Sequence, residues 1–294
     1  SQGNDERNAY LEVYDLSDPA GALRLDSDLE LPGYDGGDMD FDPEMIVVGP
    51  CRTAYILHEE GPALSIVDVS NAAAPVLLGQ YLPESPDSEG WSLSVANGMA
   101  WIGVESELWG IDVSDPAAPE VVTTFPLDGK VDRIHAVGTV AYVSLIGIGG
   151  VKLDITEPLD PQSDKTWIVP RATGGAAITG GHLYVPTYAS ETLIFVLDVP
   201  GDLNGDGGVD AADIDDLALA LRNSSSDATY DLNGDSNIDW GDMDELVHNI
   251  LNSEYGDANL DGAIDSDDLH AFIRSFGMAA GWACGDFDGS ARVD

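Results

Sequence analysis

One phrase centred on an aspartate returns five times in the first 199 residues. The copies are Val13-Tyr14-Asp15-Leu16-Ser17, Ile66-Val67-Asp68-Val69-Ser70, Gly110-Ile111-Asp112-Val113-Ser114, Lys152-Leu153-Asp154-Ile155-Thr156 and Val196-Leu197-Asp198-Val199. Their aspartates are 53, 44, 42 and 44 residues apart. A turn signal follows, as in Asp18-Pro19, Asp115-Pro116 and Glu157-Pro158, and then a β-rich run such as Pro75-Val76-Leu77-Leu78-Gly79 or Pro119-Glu120-Val121-Val122-Thr123. Ahead of the phrase stands a glycine-marked hairpin: Val95-Ala96-Asn97-Gly98-Met99-Ala100-Trp101-Ile102 in one copy and Ala136-Val137-Gly138-Thr139-Val140-Ala141-Tyr142-Val143 in the next. Each copy thus supplies about four strands, and a sheet so small cannot bury both faces alone, so the copies must stack.

A period of about 40 to 45 residues with four strands per unit predicts β-propeller blades. Full units are expected at residues 44–83, 90–127 and 132–170, with the last two strands of a unit at 10–31 and the first three at 174–199. The partial units could join into one blade, giving a four-bladed ring, or the chain could form an arc of a larger ring. The arc is the expected form, because residues 32–43 read as an acidic loop. The phrase and the strand before it resemble the LVIVD repeat, a family of secreted bacterial propellers, over most of residues 10–199. That resemblance implies a fold and says little about chemistry.

Aspartates that recur at one strand position in every unit are expected to cap turns rather than catalyse. His58, His135 and His182 lack the spacing of a metal pair. Arg133 and His135 fall on the strand expected to line the central channel and are the candidate contact residues of this region. Trp91, Trp101 and Trp109 are expected to pack between blades.

The chain sets 11 Lys and Arg against 54 Asp and Glu, a net charge of −43, which excludes nucleic acid as a partner by default. Its longest apolar runs, such as Leu193 to Leu197, are too short to cross a bilayer, so no membrane insertion is expected. Ser1 to Arg7 show no basic and apolar leader, so a secretion signal is expected to lie outside this sequence. Only two cysteines occur, Cys51 and Cys284, and their distance in sequence predicts neither a disulfide framework nor a thiolate zinc site.

Acidity concentrates in residues 200–294, with 22 acidic and 3 basic side chains. There, Asp202-Leu203-Asn204-Gly205-Asp206-Gly207-Gly208-Val209-Asp210-Ala211-Ala212-Asp213 places oxygen-bearing side chains at positions 1, 3, 5, 9 and 12, with Gly at 6. A hard cation takes six to eight oxygens in such an EF-hand-type loop, one of them the carbonyl of position 7. The pattern returns from Asp231 to Asp242 and from Asp257 to Asp268, and a fourth copy opens at Asp286-Phe287-Asp288-Gly289-Ser290. Behind the complete loops, apolar trios at identical offsets predict three amphipathic helices: Ile214, Leu217, Leu221; Met243, Leu246, Ile250; Leu269, Phe272, Phe276. The position-8 residues Val209, Ile238, Ile264 and Val293 are expected to pair loop with loop.

This tail resembles the type I dockerin family throughout residues 200–294. The resemblance implies about three Ca2+ ions. The first would be held by Asp202, Asn204, Asp206, Gly208 (carbonyl), Asp210 and Asp213. The second falls to Asp231, Asn233, Asp235, Asn237 (carbonyl), Asp239 and Asp242, and the third to Asp257, Asn259, Asp261, Ala263 (carbonyl), Asp265 and Asp268. Ser236 replaces the Gly of position 6, so the second site is expected to be strained. A cohesin-like partner is the family's usual one, but positions 10 and 11 read Ala211-Ala212, Trp240-Gly241 and Ser266-Asp267 instead of a hydroxyl pair, and the later basic pair is missing. Contact of the cellulosomal kind is therefore not expected.

The expected organisation is multidomain: an all-β propeller of four-stranded blades over 1–199 and a small α-helical, EF-hand-like dockerin domain over 200–294. The expected function is that of a secreted or cell-surface binding and display protein, with a protein or surface-glycan partner and a calcium-ordered module for attachment. The alternative is the non-catalytic part of a polysaccharide-degrading protein anchored by the same module. No enzyme activity is expected, since no catalytic residue stands out among the many acids.

Overall fold

In the computed structural model, the residues described are 9–11, 14–15, 23–24, 29–31, 43–58, 63–83, 89–168, 177–186, 191–197 and 199–294. They form stacked antiparallel sheets followed by a region of short helices. Sheet 1 runs β5 (Pro43–Val48), β6 (Thr53–His58), β7 (Leu64–Asp68), β8 (Val76–Tyr81); before it, β1 (Ala9–Leu11) pairs with β4 (Leu29–Leu31) and β2 (Tyr14–Asp15) with β3 (Leu23–Arg24). Sheet 2 follows as β9 (Gly90–Ala96), β10 (Met99–Val104), β11 (Glu107–Asp112) and β12 (Glu120–Pro126). Sheet 3 comprises β13 (Val131–Val137), β14 (Val140–Leu145), β15 (Gly149–Asp154) and β16 (Gln162–Ile168), each strand hydrogen-bonded to the next in sequence. Sheet 4 has three strands, β17 (Ala177–Thr179), β18 (His182–Pro186) and β19 (Thr192–Val196). Among the described residues β1 to β4 pair only with one another, so they do not complete sheet 4.

Period-2 alternation decides which sheet each residue faces. On β6, Tyr55 and Leu57 pack toward sheet 2 against Leu93, Ile102 and Ile111, while Ala54 and Ile56 pack toward Leu31 of β4. On β10, Ala100 and Ile102 turn to sheet 1, and Met99 and Trp101 turn to sheet 3 against Val143 and Leu153. Trp101 is fully buried there, as expected of a tryptophan between sheets. Serines on β9 tie the innermost strands together: Ser92 Oγ accepts the Ile134 N–H at 2.9 Å and Ser94 Oγ that of Ala136 at 2.9 Å.

The tail carries α1 (Ala211–Arg222), α2 (Trp240–Asp244), extended by a π-turn over Glu245–Ile250, and α3 (Ser266–Ser275). Each helix starts on a capping box, Asp210 with Asp213, Asp239 with Asp242 and Asp265 with Asp268. Ile214, Leu217, Met243, Leu246 and Val247 close a core around Trp282, against which Tyr255 and Phe287 set their rings. That core leaves the third predicted trio outside. Leu269 and Phe276 are exposed, as is Ile273, while Phe272 is half-buried beside Gly285.

Two expectations are corrected. Cys51 and Cys284 form a disulfide across 233 residues of sequence, joining sheet 1 to the tail. Position 8 does not join loop to loop among the described residues: Val293 pairs instead with Gly277 and Met278, and Val209 meets Gly138 of sheet 3. The tail sits on the sheets rather than beside them. It reaches the turn between first and second strands in all four sheets, at Cys51, Gly98, Gly138 and Gly181.

Replacing Trp101 by Ala removes a fully buried ring from the seam of sheets 2 and 3 and should cost about 3–5 kcal/mol. Urea unfolding followed by near-ultraviolet circular dichroism should show that loss as a lower midpoint.

Candidate functional site

The four acidic loops share one backbone shape. Residues at positions 4 and 6 have positive φ in every copy: Gly205 and Gly207, Gly234 and Ser236, Leu260 and Gly262, Gly289 and Ala291. Ser236 at φ 71° occupies a region that favours glycine, the strain expected of the second loop. This path turns loop N–H groups inward onto the first aspartate. Asp202 accepts from Gly205, Asp206 and Gly207 at 2.7–3.0 Å, Asp231 from Gly234 and Ser236, Asp257 from Asp261 and Gly262, and Asp286 from Ser290 and Ala291.

The last aspartate of each complete loop reaches back to its start. Asp213 accepts the N–H groups of Leu203, Asn204 and Asp210, Asp242 those of Leu232, Asn233 and Asp239, and Asp268 those of Ala258, Asn259 and Asp265. Asp213, Asp242 and Asp257 are fully buried, and Asp268 and Asp286 nearly so. Asn204, Asn233 and Asn259 at position 3 each accept the N–H of position 5, and Asp206, Asp235 and Asp261 at position 5 each accept that of position 7. Among the described residues no three His, Cys, Asp or Glu side chains converge as a metal-holding group. The loops gather their carboxylates around backbone N–H donors instead.

Burial has an electrostatic cost here. It pushes Asp213 up to about 7 and Asp215 up to about 6, from an ordinary 3.8, the N–H donors opposing the shift in both. Burial also raises Asp206, Asp210 and Asp257. Carboxylates so placed are stabilised by protons, by N–H donors or by a cation.

The first loop is hydrogen-bonded to sheets 3 and 4. His135 Nε2 lies 3.0 Å from the Asp206 carbonyl, Tyr142 Oη donates to the Gly207 carbonyl at 3.1 Å, and the Gly181 N–H donates to the Gly205 carbonyl at 2.7 Å. A Cβ on Gly138 would overlap the Val209 carbonyl, so only glycine allows that approach. His135, singled out as a candidate contact residue, thus holds the tail; Arg133 is exposed. Of the tryptophans, Trp91 lies 4.3 Å from the Lys130 ammonium and Trp109 donates to Glu107. The phrase aspartates Asp68, Asp112 and Asp154 each accept the N–H two residues on, so they cap turns as expected. The side chains of Asp15 and Asp198 lie outside the described residues. Buried His58 shares a 2.9 Å hydrogen bond with Ser65.

The chain contains LVIVD repeats: the pattern of that repeat matches residues 54–82 and 89–125, which span β6 to β8 and β9 to most of β12. A crystal structure of a protein from Lactobacillus plantarum is similar over 66% of this chain and 62% of its own, with 15% identity and a TM-score of 0.50. At that identity the likeness concerns the fold alone. A functionally unknown protein from Desulfotomaculum acetoxidans shows 9% identity, 54% and 53% coverage and a TM-score of 0.44. Saccharomyces cerevisiae Sqt1 shows 13%, 54% and 46%, and 0.44. No curated protein matches the chain. No helix among the described residues is long and apolar enough to cross a membrane.

The raised Asp213 means that the folded chain keeps a proton the unfolded chain releases. Without divalent ions, stability should therefore fall as pH rises through about 7. His58, lowered to about 4 by burial, acts in the opposite sense only below its ordinary 6.5. Thermal midpoints in chelator between pH 6.5 and 8 should therefore decline, and Asp213→Asn should flatten the slope.

Proposed function

We propose that this chain is a non-catalytic, secreted or cell-surface binding protein, in which a propeller-like arc is held by a dockerin-like tail ordered by calcium. The carrying observation is the set of buried loop aspartates that, among the described residues, have no cationic partner in their hydrogen bonds. The loops offer a cation hard oxygen ligands from Asp, Asn and backbone, which suit calcium better than softer metals. Asp202, Asn204, Asp206, Gly208, Asp210 and Asp213 would hold the first ion, and the equivalent residues of the second and third loops the others. Bound calcium would supply positive charge to a tail rich in carboxylates and do no chemistry. The Cys51–Cys284 disulfide favours an oxidising location outside the cytoplasm. Three aspartates of the repeat are spent on turns, which supports a scaffold rather than a catalyst.

Because the tail is bonded to the sheets, the experiment uses the whole chain with its disulfide intact. Calorimetric titration with calcium should give a stoichiometry near three, and Asp213→Ala and Asp268→Ala should each remove one site. A hundredfold excess over Kd should add about 2.7 kcal/mol per site. A stoichiometry of zero or one, or equal stability in calcium and chelator, would overturn the calcium reading.

A further inference from the structure

Between the tail and the turn face of sheets 1 and 2 lies a cleft of about 400 Å³. Neither region forms it alone. The sheets contribute Tyr55, Asn97 and Ser114, and the tail contributes Asn259, Asp215 and Arg274. Cys51 and Ala283, beside the disulfide, stand in the same wall, so the covalent link holds the two halves of the cleft together. We propose that this cleft binds a neutral, hydroxyl-rich small molecule of mono- or disaccharide size.

The size falls in the usual range of ligand pockets, roughly 300–1,000 Å³. Charge narrows the class. Arg274 is the one cation lining the cleft, and among the described residues it makes no ion pair. Asp210, Asp215 and Asp267 line it too. An anion would satisfy Arg274 and face three carboxylates; a cation would meet the carboxylates and face the guanidinium. Either meets a group of its own sign in the wall, which a neutral ligand does not.

A hydroxyl group both donates and accepts. Asp215 already takes the Trp282 N–H at 2.8 Å, yet a carboxylate offers about four acceptor sites. Capacity therefore remains for hydroxyl donors, while Arg274 and the amide of Asn97 donate to hydroxyl oxygens. Adjacent hydroxyls match a planar guanidinium fork and a carboxylate in a way a single hydroxyl does not. Val95, Val113 and Leu260 give the walls an apolar share, suited to the C–H face of a sugar ring.

This inference specifies the ligand for the binding role proposed above and so rests on it. The test is calorimetry on the whole, disulfide-bonded chain in calcium with glucose, galactose, mannose, cellobiose and maltose, and with glucosamine and glucuronate as charged counterparts. At least one neutral sugar should bind, at least tenfold more tightly than either charged counterpart. Arg274→Ala and Asn97→Gly should each weaken it tenfold or more; glycine suits the positive φ of 47° at position 97, so the turn is kept while the amide is lost. No binding of any neutral sugar, preference for a charged counterpart, or indifference to both substitutions would overturn the proposal. A calcium titration of the same sample separates the two readings. Calcium binding without sugar binding refutes the cleft alone, and sugar binding without calcium upholds the cleft while refuting the calcium loops.

Discussion

The seat of the tail on four strand turns is the contact on which the rest of this molecule depends. It is largely a meeting of backbones. Buried carbonyl groups need donors, and the first loop finds them in Gly181, His135 and Tyr142 for Gly205, Asp206 and Gly207. At the other end the Cys51–Cys284 bond fixes the tail to sheet 1. Hydrogen bonds at sheets 3 and 4 and a covalent bond at sheet 1 leave the span between them no freedom to lift away. The cleft over sheets 1 and 2 exists because of that fixed span.

The recurring aspartate phrase builds the face on which the tail sits. In each of sheets 1 to 3 its aspartate ends the third strand opposite the start of the second, as in Thr53 with Asp68, Met99 with Asp112 and Val140 with Asp154. The carboxylate bends the chain through an Asx turn. The next N–H then returns to the first turn: Val69 to Arg52, Val113 to Gly98 and Ile155 to Thr139, all within 2.8–2.9 Å. In sheet 4 the bond to the first turn, at Gly181, comes from Leu197 at 2.7 Å, the residue before the phrase aspartate rather than the one after it. A repeat that looks catalytic by its charge thus shapes the turns of sheets 1 to 3.

Much of this was legible in the sequence because the signals were local. Glycine-marked hairpins and the phrase located sheets 1 to 3 within a few residues, and the three strands of sheet 4 as well, since each rests on turn chemistry and period-2 burial. The helix starts were legible for the same reason: the last loop aspartate is also the N3 residue of a capping box. What could not be read joins residues far apart. Cys51 and Cys284 become partners only when the tail is folded back over the sheets. Leu269 and Phe276 keep a helical stripe's spacing yet lie exposed, because spacing says which residues share a face and not whether the core has room. Trp282, around which that core closes, carries no periodic signal. The cleft was invisible for a related reason: Asn97 and Arg274 carry no motif and meet only in three dimensions.

Loop 1 also changes how the two regions must be regarded. Read alone, residues 200–294 form a self-contained unit. The structure instead gives the carbonyls of three consecutive residues in the first loop to the sheets, while its aspartates hold the N–H groups of the same stretch. The same peptide groups therefore answer to carboxylates on one side and to sheets 3 and 4 on the other. Whatever neutralises Asp202, Asp206 or Asp213 acts on a backbone that His135 and Tyr142 are holding, and the sheets in turn hold the loop in the shape its aspartates require. Opening of the tail and loosening of sheets 3 and 4 are consequently coupled.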